Sequence, residues 1–300
     1  MRENLATALA TVREPQAKAS DWFAKRLGAH VTAALIDEVT LAPKPGLVDP
    51  RSRGAHHDLD WHLMCVSART LEPIFTDMAR AGTETRPMLA LRERIGALGR
   101  EGEARMLTAT NGVNTHRGAI WALGLLVTAA AREPADLSCD RVAARAGSIA
   151  RLPDRHTPAL TGHKGEQACI DYNVGGARGQ AHADFPHVVE VALPELARSR
   201  LRGESETAAR LNALLAVMSC LDDTCVLARG GRGALAETQS GARRVLEHGG
   251  AATLAGRRHL KMLDARLVER HVSPGGAADL LAAALFLDRL QSEARHTTKA

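Results

Sequence analysis

Residues 38–60 read EVTLAPKPGLVDPRSRGAHHDLD, a polar, glycine-punctuated segment set between two apolar runs. Pro43, Pro45 and Pro50 remove amide donors and push their predecessors into extended conformations, so the backbone cannot stay helical here. Lys44, Asp49, Arg51, Arg53, His56, His57, Asp58 and Asp60 are thus concentrated where the chain must form a loop. Such a loop presents groups to a ligand or is a solvated turn, and the flanking sequence decides its meaning.

Upstream, Phe23, Leu27, Val31 and Leu35 repeat at helical spacing behind Ser20, a suitable cap, and the next step along the stripe is Glu38. That places a carboxylate either at the buried end of the first helix or at its solvated rim. Downstream, Asp58 or Asp60 is positioned to cap a helix through Leu63, Val66, Leu71 and Phe75, with Pro73 bending or interrupting it. Free amides and the positive dipole end at that helix start favour anions, which gives His56, His57 and Asp58 a functional setting; the alternative makes Asp58 a plain cap.

The 300 residues are 45% apolar but only 3% aromatic, rich in Ala, Leu, Arg and Glu, which favours helix over sheet. The expected fold is all-α: a loosely ordered lead-in over 1–19, then a single multi-helix globular domain over 20–295 whose site is formed by loops and helix N-termini. No apolar run reaches the ~18–20 residues of a membrane span, and the first residues lack the basic-then-apolar order of a secretory signal. A cytoplasmic protein with reduced cysteines (Cys65, Cys139, Cys169, Cys220, Cys225) and no membrane association is expected. The formal charge of +5 suits anionic partners. Basic residues are dispersed and there is one tyrosine, so small phosphorylated ligands are expected rather than nucleic acid.

Further along, Leu91, Ile95 and Leu98 predict a helix from Pro87 to Thr108. The stretch 110–118, TNGVNTHRG, offers Asn114 or Thr115 as a cap and sets His116 and Arg117 on the first turn of the next helix, a candidate anion site. A short helix is expected over Ser138–Leu152. In YNVGGARGQA, residues 172–181, Arg178 lies among glycines that let a phosphate approach closely. A helix starts near Pro186 and is bent or broken at Pro194. Glu204–Arg229 reads as one long helix with Leu211, Leu214, Leu215, Met218, Cys225 and Val226 inward. Asp222 falls on that stripe beside Asp223, which makes Asp222 a buried candidate for magnesium or for a buried ion pair with an arginine. Arg229-Gly230-Gly231 adds a cation and a glycine stop. Two more helices separated by Gly249-Gly250 follow, and SPGGAADLL at 273–281 opens the last one.

Taken together, PKPGLVD (43–49), GAHHDLD (54–60), NTHRGAIW (114–121), GGARGQA (175–181), DDT (222–224) with RGG (229–231), and SPGGAADLL (273–281) resemble the triphosphoribosyl-dephospho-coenzyme A synthases. That family includes versions associated with citrate lyase and with malonate decarboxylase, the latter favoured. The likeness spans roughly residues 30–290, with departures at Arg117, where Lys is usual, and Gln180, where Glu is usual.

The resemblance implies a pentosyltransferase in which the ribose 2′-hydroxyl of 3′-dephospho-coenzyme A attacks the anomeric carbon of ATP's ribose and adenine leaves. The triphosphate stays on the product, the prosthetic-group precursor of an acyl carrier protein, which is handed on to a carrier-protein transferase. Charge developing on the ribose calls for a carboxylate, and the attacking hydroxyl calls for a proton acceptor. Asp49, Asp58 and Glu38 are the acidic candidates, with His56 or His57 as alternative proton acceptor or donor to the purine. Lys44, Gly46, Asn114, His116, Arg117, Arg178, Arg229 and Gly230 are candidates for the phosphates, and Asp222 and Asp223 for Mg2+. The rival readings are a magnesium-dependent all-α hydrolase of ADP-ribosyl or phosphate esters, and a non-catalytic helical partner whose acids need not converge.

Overall fold

The computed structural model describes the backbone of residues 2–158 and 161–297 and the side chains of 20–158 and 161–293. Among these residues the chain is 74% helical, with twelve α-helices and no sheet, as expected. In chain order they are α1 (Arg2–Thr40), α2 (Trp61–Glu84), α3 (Met88–Ala109), α4 (Arg117–Arg132), α5 (Cys139–Ala150), α6 (Lys164–Tyr172), α7 (Gly176–His182), α8 (Leu193–Leu201), α9 (Glu206–Met218), α10 (Thr224–Glu247), α11 (Leu254–Glu269) and α12 (Gly275–Thr297). A π-helical turn, His187–Ala192, leads into α8, and a 3-10 turn, Gly250–Ala252, precedes α11.

Two helices are apolar nearly all round, and a helix of that kind must lie inside. In α4, Ala119, Ile120 and Ala122 to Ala131 are buried; in α12, Ala277, Ala278, Leu280 to Leu287 and Leu290 are buried. They pack against each other, α1 and α2 cover α4, and α1 and α9 cover α12. Leu27, Leu35, Phe75, Leu123, Leu126 and Phe286 fill the layer between them with essentially no exposure. Truncating a phenylalanine buried like Phe286 to alanine costs about 3–5 kcal/mol.

The expected stripe on α1 is present: Leu27, Val31 and Leu35 are buried and Glu38 is 4% exposed. Asp60 caps α2, accepting the Leu63 amide at 2.9 Å, and α2 continues through Pro73 to Glu84.

Two expectations need correction. Ser20 caps nothing, because α1 already runs helical from Arg2; its hydroxyl donates to Thr83 Oγ1 at 3.3 Å. The expected lead-in over 1–19 concerns side chains outside the described residues. The single helix over 204–229 is two helices, α9 ending at Met218 and α10 starting at Thr224. The cap won over the apolar period: Asp223 accepts the Cys225 and Val226 amides, and so begins a new helix. The glycine stop at 229–231 survives as a kink, Gly231 having φ +67° within α10.

Candidate active site

The loop over residues 41–60 is tied down by its own acids. Asp49 is 2% exposed and accepts the Lys44 amide at 3.2 Å, the Arg51 amide at 2.8 Å and the Arg51 guanidinium at 3.1 Å. Gly46 has φ +68°, and a Cβ there would lie 2.8 Å from the Val272 carbonyl oxygen. Its amide donates to Asp264 Oδ1 at 2.9 Å. Only glycine meets both demands, so the loop is pinned to the turn between α11 and α12.

That anchoring sends Lys44 inward. Lys44 is 3% exposed and its ammonium donates to Glu38 Oε1 at the buried end of α1. Burial raises the Glu38 carboxyl, and Lys44 opposes the rise. His116, immediately before α4, is 2% exposed. Its Nδ1 lies 2.9 Å from Ser67 Oγ on α2, while Nε2 has no hydrogen-bond partner. Burial first, and the Lys44 charge second, push the imidazole down to about 4.

Two further carboxyls close the floor. Asp223 is buried; Oδ1 accepts the Cys225 and Val226 amides at 2.8 and 3.4 Å, and Oδ2 accepts the Ala277 amide of α12 at 2.9 Å. The Gly276 amide also bonds to it. One side chain therefore joins the N-termini of α10 and α12. Asp279, one turn into α12, packs against Gly118 on the first turn of α4, where an added Cβ would collide with its Oδ2. Burial, then the Glu38 charge, then the Asp223 charge raise the Asp279 carboxyl well above the usual carboxylate range.

The rim carries the remaining candidates. Arg229 Nη2 approaches His56 Nδ1 at 3.4 Å and Arg229 Nη1 the His271 carbonyl at 3.4 Å. The ring centroids of His57 and His271 are 5.1 Å apart. His56 is pushed down to about 4 by burial and then by Arg229, although Asp58, 3.7 Å away, pulls the other way. Arg117 is bound to Glu103 of α3, whose Oε1 also lies 3.5 Å from His163, and its amide donates to Asn114 Oδ1 at 3.2 Å. Gly176, at φ +55°, lets α7 sit close to α6 and Thr224: a Cβ there would lie 2.6 Å from Cys169 Sγ and 3.3 Å from Thr224 Cγ2. Gly230 packs against Val272.

The structure therefore brings together Glu38, Lys44, Gly46, His116, Asp223, Arg229, Gly230, His56 and His57. Asn114 and Arg117 lie on the neighbouring side at the start of α4. Arg178 is exposed on α7, beside Glu166 and Arg92, whose titrations respond to its charge. Asp58 is exposed in the loop. Asp49 is near the site in sequence, but its carboxylate is occupied by the loop.

The Asp222–Asp223 pair does not fit a magnesium site. Asp222 is exposed, since the helix that would have buried it ends at Met218, and the lone pairs of Asp223 face backbone amides. Among the described residues no three His, Cys, Asp or Glu side chains converge on a common metal position. Asp279 was missed as a site residue although its motif, SPGGAADLL, was singled out. The signal was present in the small residues at 275–278 and in Gly118, which together allow a carboxyl to reach the start of another helix.

A family model described as ATP:dephospho-CoA triphosphoribosyl transferase matches residues 24–298. The probable 2-(5′′-triphosphoribosyl)-3′-dephosphocoenzyme-A synthase of Azotobacter vinelandii is 54% identical over 284 residues, 94% of this chain and 95% of the relative. Proteins of the same name from a Pseudomonas fluorescens strain and a Pseudomonas aeruginosa strain are 55% identical over 271 residues (90% of this chain, 93% of the relative) and 58% over 258 (86% and 88%). No solved structure matches the chain.

Proposed function

We propose, from a chain that belongs to the ATP:dephospho-CoA triphosphoribosyl transferase family, that the floor formed by Glu38, Lys44, His116, Asp223 and Asp279 is where the triphosphoribosyl group changes partners. The reaction is transfer of the 5-triphosphoribosyl group of ATP to the ribose 2′-hydroxyl of 3′-dephospho-coenzyme A, with release of adenine. The observation that carries the site assignment is that the start of α4, the joined starts of α10 and α12 and the end of α1 meet under the 41–60 loop, bringing cations, carboxyls and helix N-termini to one place.

The division of labour follows from charge. The triphosphate is the most anionic part of the substrate and belongs with Arg229, Arg117 and the positive dipole ends at the helix starts. The ribose, on which positive charge develops as the C1′–N9 bond lengthens, belongs over the carboxyls. Glu38 is held beside Lys44 as a fixed pair; His56, kept neutral near pH 7, can accept a hydrogen bond at the rim. Magnesium belongs to this reading as the counter-ion of the ATP phosphates, and no protein carboxylate pair is assigned to it.

The test is incubation of the protein with ATP and 3′-dephospho-coenzyme A. Free adenine in equal amount to a coenzyme product that retains three added phosphates is expected. Release of inorganic phosphate, or cleavage of ADP-ribose, would instead support the hydrolase reading. We further propose that the product is destined for a carrier protein, with malonate decarboxylase favoured over citrate lyase as its home. The support for this is the resemblance of the motifs, and a carrier-protein transferase accepting the product is the corresponding assay.

A further inference from the structure

We propose that Asp279 is the catalytic acid that protonates the departing adenine, an inference that rests on the transferase reading above. Of the carboxyls on the floor, Asp223 is held by four backbone amides and Glu38 by the Lys44 ammonium. Asp279 has neither a hydrogen-bond donor nor a cation against its oxygens among the described residues. It is lodged against Gly118, two residues along the chain from a second polar group left open: His116, 98% buried on its relative exposure of 2%, turns Nδ1 to Ser67 and leaves Nε2 unpartnered. A half-buried carboxyl with no protein donor against it and a buried imidazole nitrogen without a partner, both near one helix start, mark a place completed by a ligand.

Every element packed around Asp279 bears on its proton. Glu38 on α1 and Asp223 at the start of α10 add negative charge and favour the neutral acid, as does burial. Cys225 on α10, half-buried, stays a thiol because desolvation first, then the Asp223 and Asp279 charges, raise it. Lys44 is bound to Glu38; His116 is neutral near pH 7. The dipoles of α4 and α12 favour the carboxylate, by about 0.3–1 kcal/mol each, a smaller effect than burial beside two like charges.

The step balances on this one group. As the C1′–N9 bond breaks, its electron pair stays on the purine, which takes the Asp279 proton. The 2′-hydroxyl then forms the C1′–O bond and releases its proton to the carboxylate just generated, which returns Asp279 to its starting state.

The experiment compares wild type and Asp279→Asn with ATP and with N7-methyl-ATP, whose cationic purine departs without needing a proton. Expected are a kcat loss of about 100-fold or more on ATP, ATP binding by titration within threefold of wild type, and a loss at least tenfold smaller on the methylated nucleotide. An equal loss on both nucleotides, a defect confined to KM, or a kcat within tenfold of wild type would overturn the assignment. Should wild type reject the methylated nucleotide, its pH profile decides: an alkaline fall in kcat that is absent from the residual activity of Asp279→Asn supports the acid, and the same fall in both overturns it. Asp279→Ser replaces the Asn variant if that one does not fold. Failure of the transferase reading itself has a different signature, since wild type would then release no adenine.

Discussion

Lys44 and Glu38 form an ion pair in which the two side chains are only 2% and 6% exposed. Such a pair contributes little net stability when intact, but removing one partner strands the other charge and costs about 3–5 kcal/mol. Lys44→Met should therefore lower the thermal midpoint by several degrees, in addition to any effect on ATP. The double variant Lys44→Met/Glu38→Leu should recover most of that stability while remaining inactive. Thermal unfolding of the three proteins checks this; a Lys44→Met variant as stable as wild type would mean that Glu38 is neutral and the pair is not ionic.

At the start of α4, Gly118 leaves room for Asp279 and nothing more. Alanine has the better helix propensity by about 1 kcal/mol, so by local preference alone Gly118→Ala should stabilise. It must instead displace the carboxyl. The expected outcome is a kcat lowered at least tenfold with a thermal midpoint within about 2 °C of wild type, the propensity gain offsetting the displaced contact. Full activity in this variant would separate Asp279 from the chemistry.

The adjacent acids Asp222 and Asp223 should behave as opposites. Asp222 is exposed, and Asp222→Ala should change stability by no more than about 0.5 kcal/mol and leave the magnesium concentration at half-maximal activity unaltered. Asp223→Ala frees the amides of Cys225, Val226, Gly276 and Ala277. A lost cap costs about 1–2 kcal/mol, and each buried unpaired donor about 1–3 more, so this variant should unfold at markedly lower temperature or urea concentration. Loss of magnesium dependence in Asp222→Ala would restore it as a metal ligand.

The difference between those two acids shows where the sequence could be read and where it could not. Periodicity put Glu38 next on the face of Leu27, Val31 and Leu35 but left open whether that helix end was buried or a solvated rim; the packing of the 41–60 loop buries it. Proline and glycine located the loop, and its following cap was narrowed to Asp58 or Asp60, of which the structure uses Asp60. The same periodicity failed at 219–223, where a side chain bonding to the backbone two and three residues on outweighed an apolar stripe that continued on paper. Asp279 lay beyond any local rule: its importance comes from Gly118, 161 positions earlier in the chain, and such a meeting is fixed by how α4 and α12 pack. Arg117 was visible as a cation, but its pairing with Glu103 of α3 was not, for the same reason.

His116 gives the fold an acid sensitivity of known sign. Its folded-state value of about 4 lies below the ordinary 6.5, so the unfolded chain binds the proton more readily and stability is lost as pH falls through 6.5 towards 4. Between pH 7.5 and 5 a histidine with these two values removes about 2 kcal/mol. His56, lowered to about 4 as well, acts in the same direction, whereas the raised Asp279 acts oppositely, losing stability as pH rises. The diagnostic quantity is therefore the difference between wild type and His116→Gln, in which the other two groups cancel. Urea midpoints at pH 7.5 and pH 5 should show His116→Gln losing about 2 kcal/mol less than wild type over that interval. Parallel losses in the two proteins would mean that the imidazole takes up its proton in the folded state, finding through Nε2 an acceptor that the buried start of α4 does not provide.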